Sequence, residues 1–186
     1  MKKTKALLLI SAILLTNLVE NAFSQGEPRV FSTRFCTVFY EEGVDLQKVN
    51  RRIDLKFSDL YFSKVSRQDG TGLSAEDMLS KKFDAIFSRV QDILDMYPSK
   101  IHITVNIYRD NRGLDAAYEK LFNELNITRS FYVYKTNILY TTQDAITENI
   151  LAHEMAHCIV DHYFVILPPR KIQEMLAVYA DVHLKD

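Results

Sequence analysis

One helix-forming segment, residues 144–162, constrains the fold more than any other part of the chain. At a helical repeat its apolar residues cover nearly the whole circumference, and Pro168 and Pro169 separate it from a second helical segment at 169–183. A helix that is apolar all round is buried inside its protein. We therefore expect the other elements to pack around its apolar residues, which are Ile146, Ile150, Leu151, Ala152, Met155, Ala156, Cys158, Ile159 and Val160.

Three ionisable residues lie close together in the middle of this helix, in the order His153-Glu154-Met155-Ala156-His157. His153 and His157 are one helical turn apart and project from the same face, so both imidazoles can bind one metal ion. Buried polar side chains need partners, and a metal ion satisfies both imidazoles at once. Glu154 is placed to accept a proton from a metal-bound water, whose pKa zinc lowers to about 7. The pattern predicts a zinc site with Glu154 as its catalytic base.

A zinc site of this kind needs a third protein ligand. The other histidines are poor candidates: His102 is isolated in a predicted strand, His162 projects about 140° away from the pair, and His183 lies close to the end of the chain. Glu174 is the remaining strong candidate, because it lies on the next helix, which the proline turn can fold back on the first.

The two helices together resemble the gluzincin group of zinc peptidases, and most closely its peptidase-MA-like domains. Those domains have HExxH followed by a helix that reads P-x-W-L-x-E-G-L-A-x-Y, and this chain has HEMAH followed by PRKIQEMLAVY at 169–179. The resemblance implies a zincin-like domain in which His153, His157 and Glu174 bind zinc and Glu154 is the general base. It also suggests that the strand at 131–140 forms the sheet edge along which an extended peptide lies.

Two positions of the second helix depart from the family pattern. Lys171 occupies the position of the tryptophan, and Met175 occupies that of the glycine after the ligand, which puts bulk beside the metal pocket. Larger gluzincins have a further helical subdomain that walls the cleft, and this sequence ends shortly after Glu174. We therefore expect either that substrate binds shallowly or that a protein partner completes the cleft.

Further side chains are predicted to support the site. Asp161 follows His157 by one helical turn and is a candidate for orienting its imidazole; a solvated position near the helix end is the alternative interpretation. Tyr179, on the second helix, is predicted to lie near the ligands. The tyrosines that are candidates for stabilising an oxyanion are Tyr132, Tyr134, Tyr140 and Tyr179.

The rest of the sequence predicts an α+β domain with a small mixed sheet and packed helices. Alternating and β-branched residues predict strands at 30–40, 101–108 and 131–140, the last as a strand or a short hairpin. Helices are predicted to begin at Asp45 and, through a capping box with Asp77, at Ser74, and a further helix is predicted around Leu114 to Leu121. The helix that begins at Ser74 is expected to run as far as Pro98.

Residues 1–24 have the pattern of a signal peptide. Basic residues precede an apolar stretch shorter than the about 20 residues of a membrane span, and Ala22 and Ser24 supply the small residues of a cleavage site. We expect residues 25–186 to form one exported domain, periplasmic or secreted, with no stable membrane span after cleavage. An uncleaved signal anchor is the alternative.

Cysteine content and charge restrict the classes of partner. Cys36 and Cys158 are the only cysteines; they could pair in an oxidising compartment, or Cys158 could be a small buried residue of the apolar helix. The formal net charge of −1 and the lack of a basic stripe argue against nucleic acid as a partner.

These observations predict an exported zinc peptidase that hydrolyses peptide or protein substrates through a metal-bound water activated by Glu154. The alternative is a catalytically silent zincin-like module that binds metal and acts through a protein partner.

Overall fold

The computed structural model describes residues 27–55 and 74–186. The predicted signal peptide lies outside the described residues, and so do residues 56–73. Among the described helices, none combines the length and the apolar character that crossing a bilayer requires.

A five-stranded mixed sheet forms the centre of the described structure. Its strands are β1 (Arg29–Ser32), β2 (Cys36–Tyr40), β3 (Ile103–Tyr108), β4 (Ser130–Val133) and β5 (Ile138–Thr142), in the order β1-β2-β3-β5-β4. Strands β2, β3 and β5 are parallel, whereas β1 and β4 pair antiparallel at the two edges. The prediction of an α+β fold with a small mixed sheet is confirmed at this level.

The prediction of a single strand over residues 30–40 is wrong, because the segment reverses direction between β1 and β2. The Thr33 hydroxyl accepts hydrogen bonds from the backbone N–H groups of Phe35 and Cys36, and Thr33 N–H donates to the Cys36 carbonyl at 2.7 Å. A threonine side chain that bonds the backbone two and three residues later is a recognised turn device. The reversal places Phe31 in the same core as Cys36 instead of on the opposite face.

Strand β3 is buried on both faces, although its sequence alternates as a half-exposed strand does. Asn106 and Tyr108, at the predicted polar positions, have 0% exposure, as do Val105 and Ile107 between them. The cause is the central position of β3 between two parallel neighbours with helices on both sides, since parallel sheets are covered on both faces.

Local capping signals locate the starts of the first two helices, α1 (Leu46–Arg52) and α2 (Ala75–Leu94). The Asp45 side chain caps α1 by accepting from Lys48 N–H. Ser74 and Asp77 form the predicted capping box of α2. Helix α2 ends before Pro98 is reached, because Asp95 adopts a left-handed conformation with φ 51° and its N–H bonds back to the last turn.

The remaining helices lie on both faces of the sheet. Helix α3 (Asn111–Phe122) covers a small aromatic cluster on one face, built around Tyr108, Phe131 and Tyr140. Helix α4 (Glu148–Tyr163) packs with α2 in the main core on the other face, and α5 (Arg170–Val182) packs on α4. This arrangement buries α4 between the sheet and two other helices, as its composition predicts.

Candidate metal centre

Helix α4 presents its two histidines from a rigid, buried support. The Thr147 side chain caps its first turn by accepting from Ile150 N–H, and Leu151, Met155 and Ile159 are fully buried beneath it. His153 and His157 are 26% and 16% exposed, and their ring centroids are 5.0 Å apart with planes 78° from parallel. The helical spacing therefore places two imidazoles side by side at the surface of the core.

Helix α5 folds back on α4 after the proline turn, where Gln173 Nε2 donates to the Pro168 carbonyl at 2.8 Å. The residues of α5 that face the core are alanines, Ala177 and Ala180, both with 0% exposure. Because the distance between two packed helices depends on the side chains at their contact, small residues allow a close approach. Glu174, one turn before Ala177, is thereby held against the histidine pair.

The three predicted ligands converge on one point. The Oε2 atom of Glu174 lies 3.7 Å from His153 Nε2 and 3.5 Å from His157 Nε2, and the three ligand atoms all lie within 4.8 Å of one another. The other carboxylate oxygen, Oε1, lies 3.6 Å from Arg170 Nε, one helical turn earlier. Arg170 thus engages one oxygen of Glu174 and leaves the second oxygen turned toward the imidazoles.

These separations fit a shared ion better than direct hydrogen bonds. Nitrogen–oxygen hydrogen bonds are about 2.7–3.2 Å long, whereas two ligand atoms of a tetrahedral zinc site are about 3.3 Å apart. Burial lowers the pKa of His157, an effect that the Glu174 carboxylate partly offsets, and this shift favours the neutral imidazole. A neutral imidazole has a free lone pair, and the three residues could therefore hold a divalent metal ion.

Glu154 lies in a buried pocket between α4 and β4. It is 8% exposed, it accepts a hydrogen bond from the backbone N–H of Tyr132, and the Ser130 side chain lies beside it in the same pocket. Burial, reinforced by the nearby Glu174 charge, raises the pKa of Glu154 to about 8. A carboxyl group with a pKa close to neutrality can both accept and donate a proton at pH 7.

Asp181 is a site residue that the sequence reasoning missed. Its Oδ2 lies 3.4 Å from His153 Nδ1, the ring nitrogen that faces away from Glu174. Asn149 supports this position, because its Nδ2 donates to the Asp181 backbone carbonyl at 2.8 Å. Asp181 follows Glu174 by two helical turns and so shares its helix face, a spacing that could have identified it.

Asp161 lies beside Tyr132 and not beside the predicted partner, His157. Its carboxylate interacts with the Tyr132 hydroxyl, and burial raises the pKa of Asp161 to about 6. The Tyr132 hydroxyl donates its hydrogen to Asn137 Oδ1 at 2.9 Å. Within the described residues, no ion pair joins Asp161 to His157.

The other candidate tyrosines lie in three different parts of the structure. Tyr140 stacks on Phe131 at 4.8 Å in the aromatic cluster under α3, across the sheet from α4. Tyr134 is 57% exposed in the turn between β4 and β5. Tyr179 is 50% exposed, and its ring centroid lies 4.1 Å from that of His183 with the planes tilted by 33°, along the outer surface of α5.

The other histidines and the cysteines have local partners. His102 Nε2 lies 2.9 Å from Thr37 Oγ1, and His162 Nδ1 lies 2.8 Å from the Cys158 carbonyl one turn earlier in α4. Cys36 and Cys158 are both buried as free thiols, and burial raises the pKa of each thiol. Among the described residues, His153, His157 and Glu174 are the group able to hold a metal.

No protein-family model, no curated protein and no solved structure matches this chain.

Proposed function

We propose that this chain is an exported, zinc-dependent peptidase of zincin-like architecture. The observation that carries the proposal is the convergence of His153, His157 and Glu174 on one point, with the buried Glu154 carboxylate next to the first of them on α4. Two imidazoles and one carboxylate suit zinc better than the hard cations magnesium and calcium, which prefer oxygen ligands.

The proposed chemistry divides between the metal and the protein. Zinc, when bound, supplies a Lewis acid and lowers the pKa of a water molecule to about 7. Glu154 takes up the proton that the attacking water loses and returns it to the leaving amine. A bound cation lowers the pKa of this carboxyl from the value of about 8 that burial and Glu174 produce. Asp181 orients the His153 ring.

The sheet supplies a surface for an extended substrate beside these groups. Strand β4 is an edge strand of the described sheet, and the Tyr132 N–H of that strand bonds directly to Glu154. An extended peptide can add to an exposed sheet edge through main-chain hydrogen bonds. A peptide lying along β4 would place its backbone next to the proposed base.

The roles of base and ligand can be separated by two amide substitutions. We expect Glu154→Gln to keep stoichiometric zinc and to lower cleavage of an unfolded-protein substrate by about 10²–10⁴-fold. Glu174→Gln is expected to weaken zinc binding as well as cleavage, because it removes a charged ligand. The zinc content of each variant is measured by elemental mass spectrometry. Its cleavage activity is measured with a peptide library.

The matched control is Glu124→Gln, which makes the same change at an exposed position after α3. It should retain both zinc and cleavage. Stoichiometric zinc in the wild type, with no library peptide cleaved in a Glu154-dependent manner, would refute the peptidase assignment. The absence of bound zinc in the wild type would refute the metal site itself.

Export rests on the leader pattern at residues 1–24. When the full-length chain is expressed in a secreting cell, the protein recovered outside the cytoplasm should begin at Gln25. Amino-terminal sequencing decides this point, and a recovered chain that still begins at Met1 would count against cleavage.

One observation favours a second function, that of a catalytically silent metal-binding module that acts through a protein partner. The outer side of α5 exposes apolar residues beside Glu174: Met175 is 59% exposed, Val178 49% and Val182 62%. Exposed apolar patches commonly mark protein interaction sites. This function predicts a metal-dependent melting temperature without cleavage, and Glu154-dependent peptide cleavage by the isolated wild-type chain would exclude it.

A further inference from the structure

A cavity of about 260 Å³ lies beside the candidate metal residues, between the start of β4, the first turns of α4 and the end of α5. It is small compared with typical ligand pockets of about 300–1,000 Å³, so it suits one short part of a peptide. Its polar lining consists of Arg129, Ser130, Asn149, His153, Glu154 and Asp181.

Most of these polar groups already have partners inside the protein. The Ser130 hydroxyl donates to the Tyr140 carbonyl at 2.9 Å, Asn149 bonds the α5 backbone, and the Asp181 carboxylate faces His153. Arg129 differs, because no carboxylate among the described residues lies within 4.0 Å of its guanidinium, and it makes no side-chain hydrogen bond to those residues. It is an exposed cation in the wall of the cavity, without an ion-pair partner among the described residues.

We propose that Arg129 binds a carboxylate of the substrate peptide, on the C-terminal side of the bond that is cleaved. This inference rests on the proposed peptidase function and names its substrate class. A guanidinium presents paired N–H donors that match the two oxygens of a carboxylate. The carboxylate comes either from the free C-terminus of the peptide or from an aspartate or glutamate side chain near that end.

The position of Arg129 in the sheet sets the direction of the peptide. Arg129 immediately precedes Ser130, the first residue of the edge strand β4. When a peptide pairs with β4 in the antiparallel direction, its C-terminal end lies beside the first residues of β4. A cation at this place attracts a carboxylate and repels a protonated amino terminus, so the peptide's C-terminal end faces Arg129 and its amino end points toward Val133.

The test measures binding separately from cleavage. Zinc-loaded Glu154→Gln protein is titrated with fluorescent peptides of one sequence that end in a free carboxylate or in a carboxamide. Charge-assisted hydrogen bonds lead us to expect at least about tenfold tighter binding of the acid. Arg129→Gln in the same background should abolish this preference, and Arg129→Lys should keep part of it. Arg112→Gln is the matched control, because Arg112 lies on α3 and pairs with Asp110.

A third peptide distinguishes the two sources of the carboxylate. It ends in a carboxamide and has a glutamate as its penultimate residue. If this peptide binds as tightly as the free acid and loses affinity in Arg129→Gln, the subsite accepts acidic side chains. If it binds only as tightly as the plain amide, the subsite recognises the carboxylate of the chain terminus. Either result supports a carboxylate subsite.

Three results would overturn the inference: equal binding of acid and amide, an acid preference that survives Arg129→Gln, and no binding of any peptide up to millimolar concentration. The second would indicate that the carboxylate binds the metal instead of Arg129. Glu154-dependent cleavage without acid preference would refute the subsite and leave the peptidase proposal standing. An Arg129-dependent acid preference in a protein that cleaves no peptide would refute the peptidase proposal alone.

Discussion

Removal of the Asp181 carboxylate tests whether the contact with His153 positions that ring for metal binding. Asp181 Oδ2 lies 3.4 Å from Nδ1, slightly beyond the length of a direct hydrogen bond, while Nε2 of the same ring points toward Glu174. A carboxylate that accepts from one imidazole nitrogen fixes the tautomer and orientation of the ring and makes the other nitrogen a better ligand. Asp181→Ala removes this partner, and Asp181→Asn keeps an acceptor oxygen but removes its charge.

Partners of this kind typically contribute about 10–100-fold to metal affinity, which corresponds to about 1.4–2.7 kcal/mol at 25 °C. At saturating metal, the loss of affinity appears in full as a loss of metal-dependent stabilisation. For a domain of this size each kcal/mol changes the melting temperature by about 2–4 °C. We therefore expect Asp181→Ala to lower the melting temperature of the zinc-loaded protein by roughly 3–11 °C, and Asp181→Asn to give a smaller decrease.

The assay is competition for zinc with a chelator of known affinity, followed by thermal denaturation with and without zinc. Asp186→Asn is the control, because Asp186 faces His183 at 4.0 Å and is 71% exposed. The metal-free proteins should melt within a few degrees of one another. If Asp181→Ala binds zinc within about twofold of the wild-type affinity, Asp181 does not position His153, and the reasoning from the 3.4 Å contact is wrong.

Three further predictions concern stability. Phe87→Ala should destabilise the fold by about 3–5 kcal/mol in chemical denaturation, because Phe87 is fully buried and stacks on Phe35 at 4.5 Å; a change below 1 kcal/mol would contradict this packing. Ser74→Ala should cost about 1 kcal/mol through loss of the α2 cap, and unchanged stability would mean that the capping box contributes nothing. Burial raises the pKa of Asp161 to about 6, so folding favours the protonated carboxyl, and ionisation lowers stability as pH rises from about 4 to 6. Asp161→Asn should make stability less dependent on pH across that window, and an unaltered pH profile would count against the raised pKa.

Much of the secondary structure follows from local sequence, because caps and periodicity act over a few residues. The Asp45 and Ser74 caps and the apolar helix α4 appear where the sequence places them. Errors occur where a local interaction competes with the pattern. The Thr33 turn divides one predicted strand into two, and Asp95 ends α2 in a left-handed conformation before the proline.

The candidate site shows the same division between local and tertiary information. The one-turn spacing of His153 and His157 places both imidazoles on one face of any α-helix that contains them, so the sequence by itself determines the pair and the adjacent Glu154. Only the tertiary structure brings Glu174 and Asp181 to that pair, because their approach depends on how closely α5 packs on α4 through its alanines. Tertiary structure likewise places Arg129 at the edge of the sheet beside the buried carboxylate. Helical periodicity relates residues within one element, whereas distances between elements follow from the packing of side chains that are far apart in the chain.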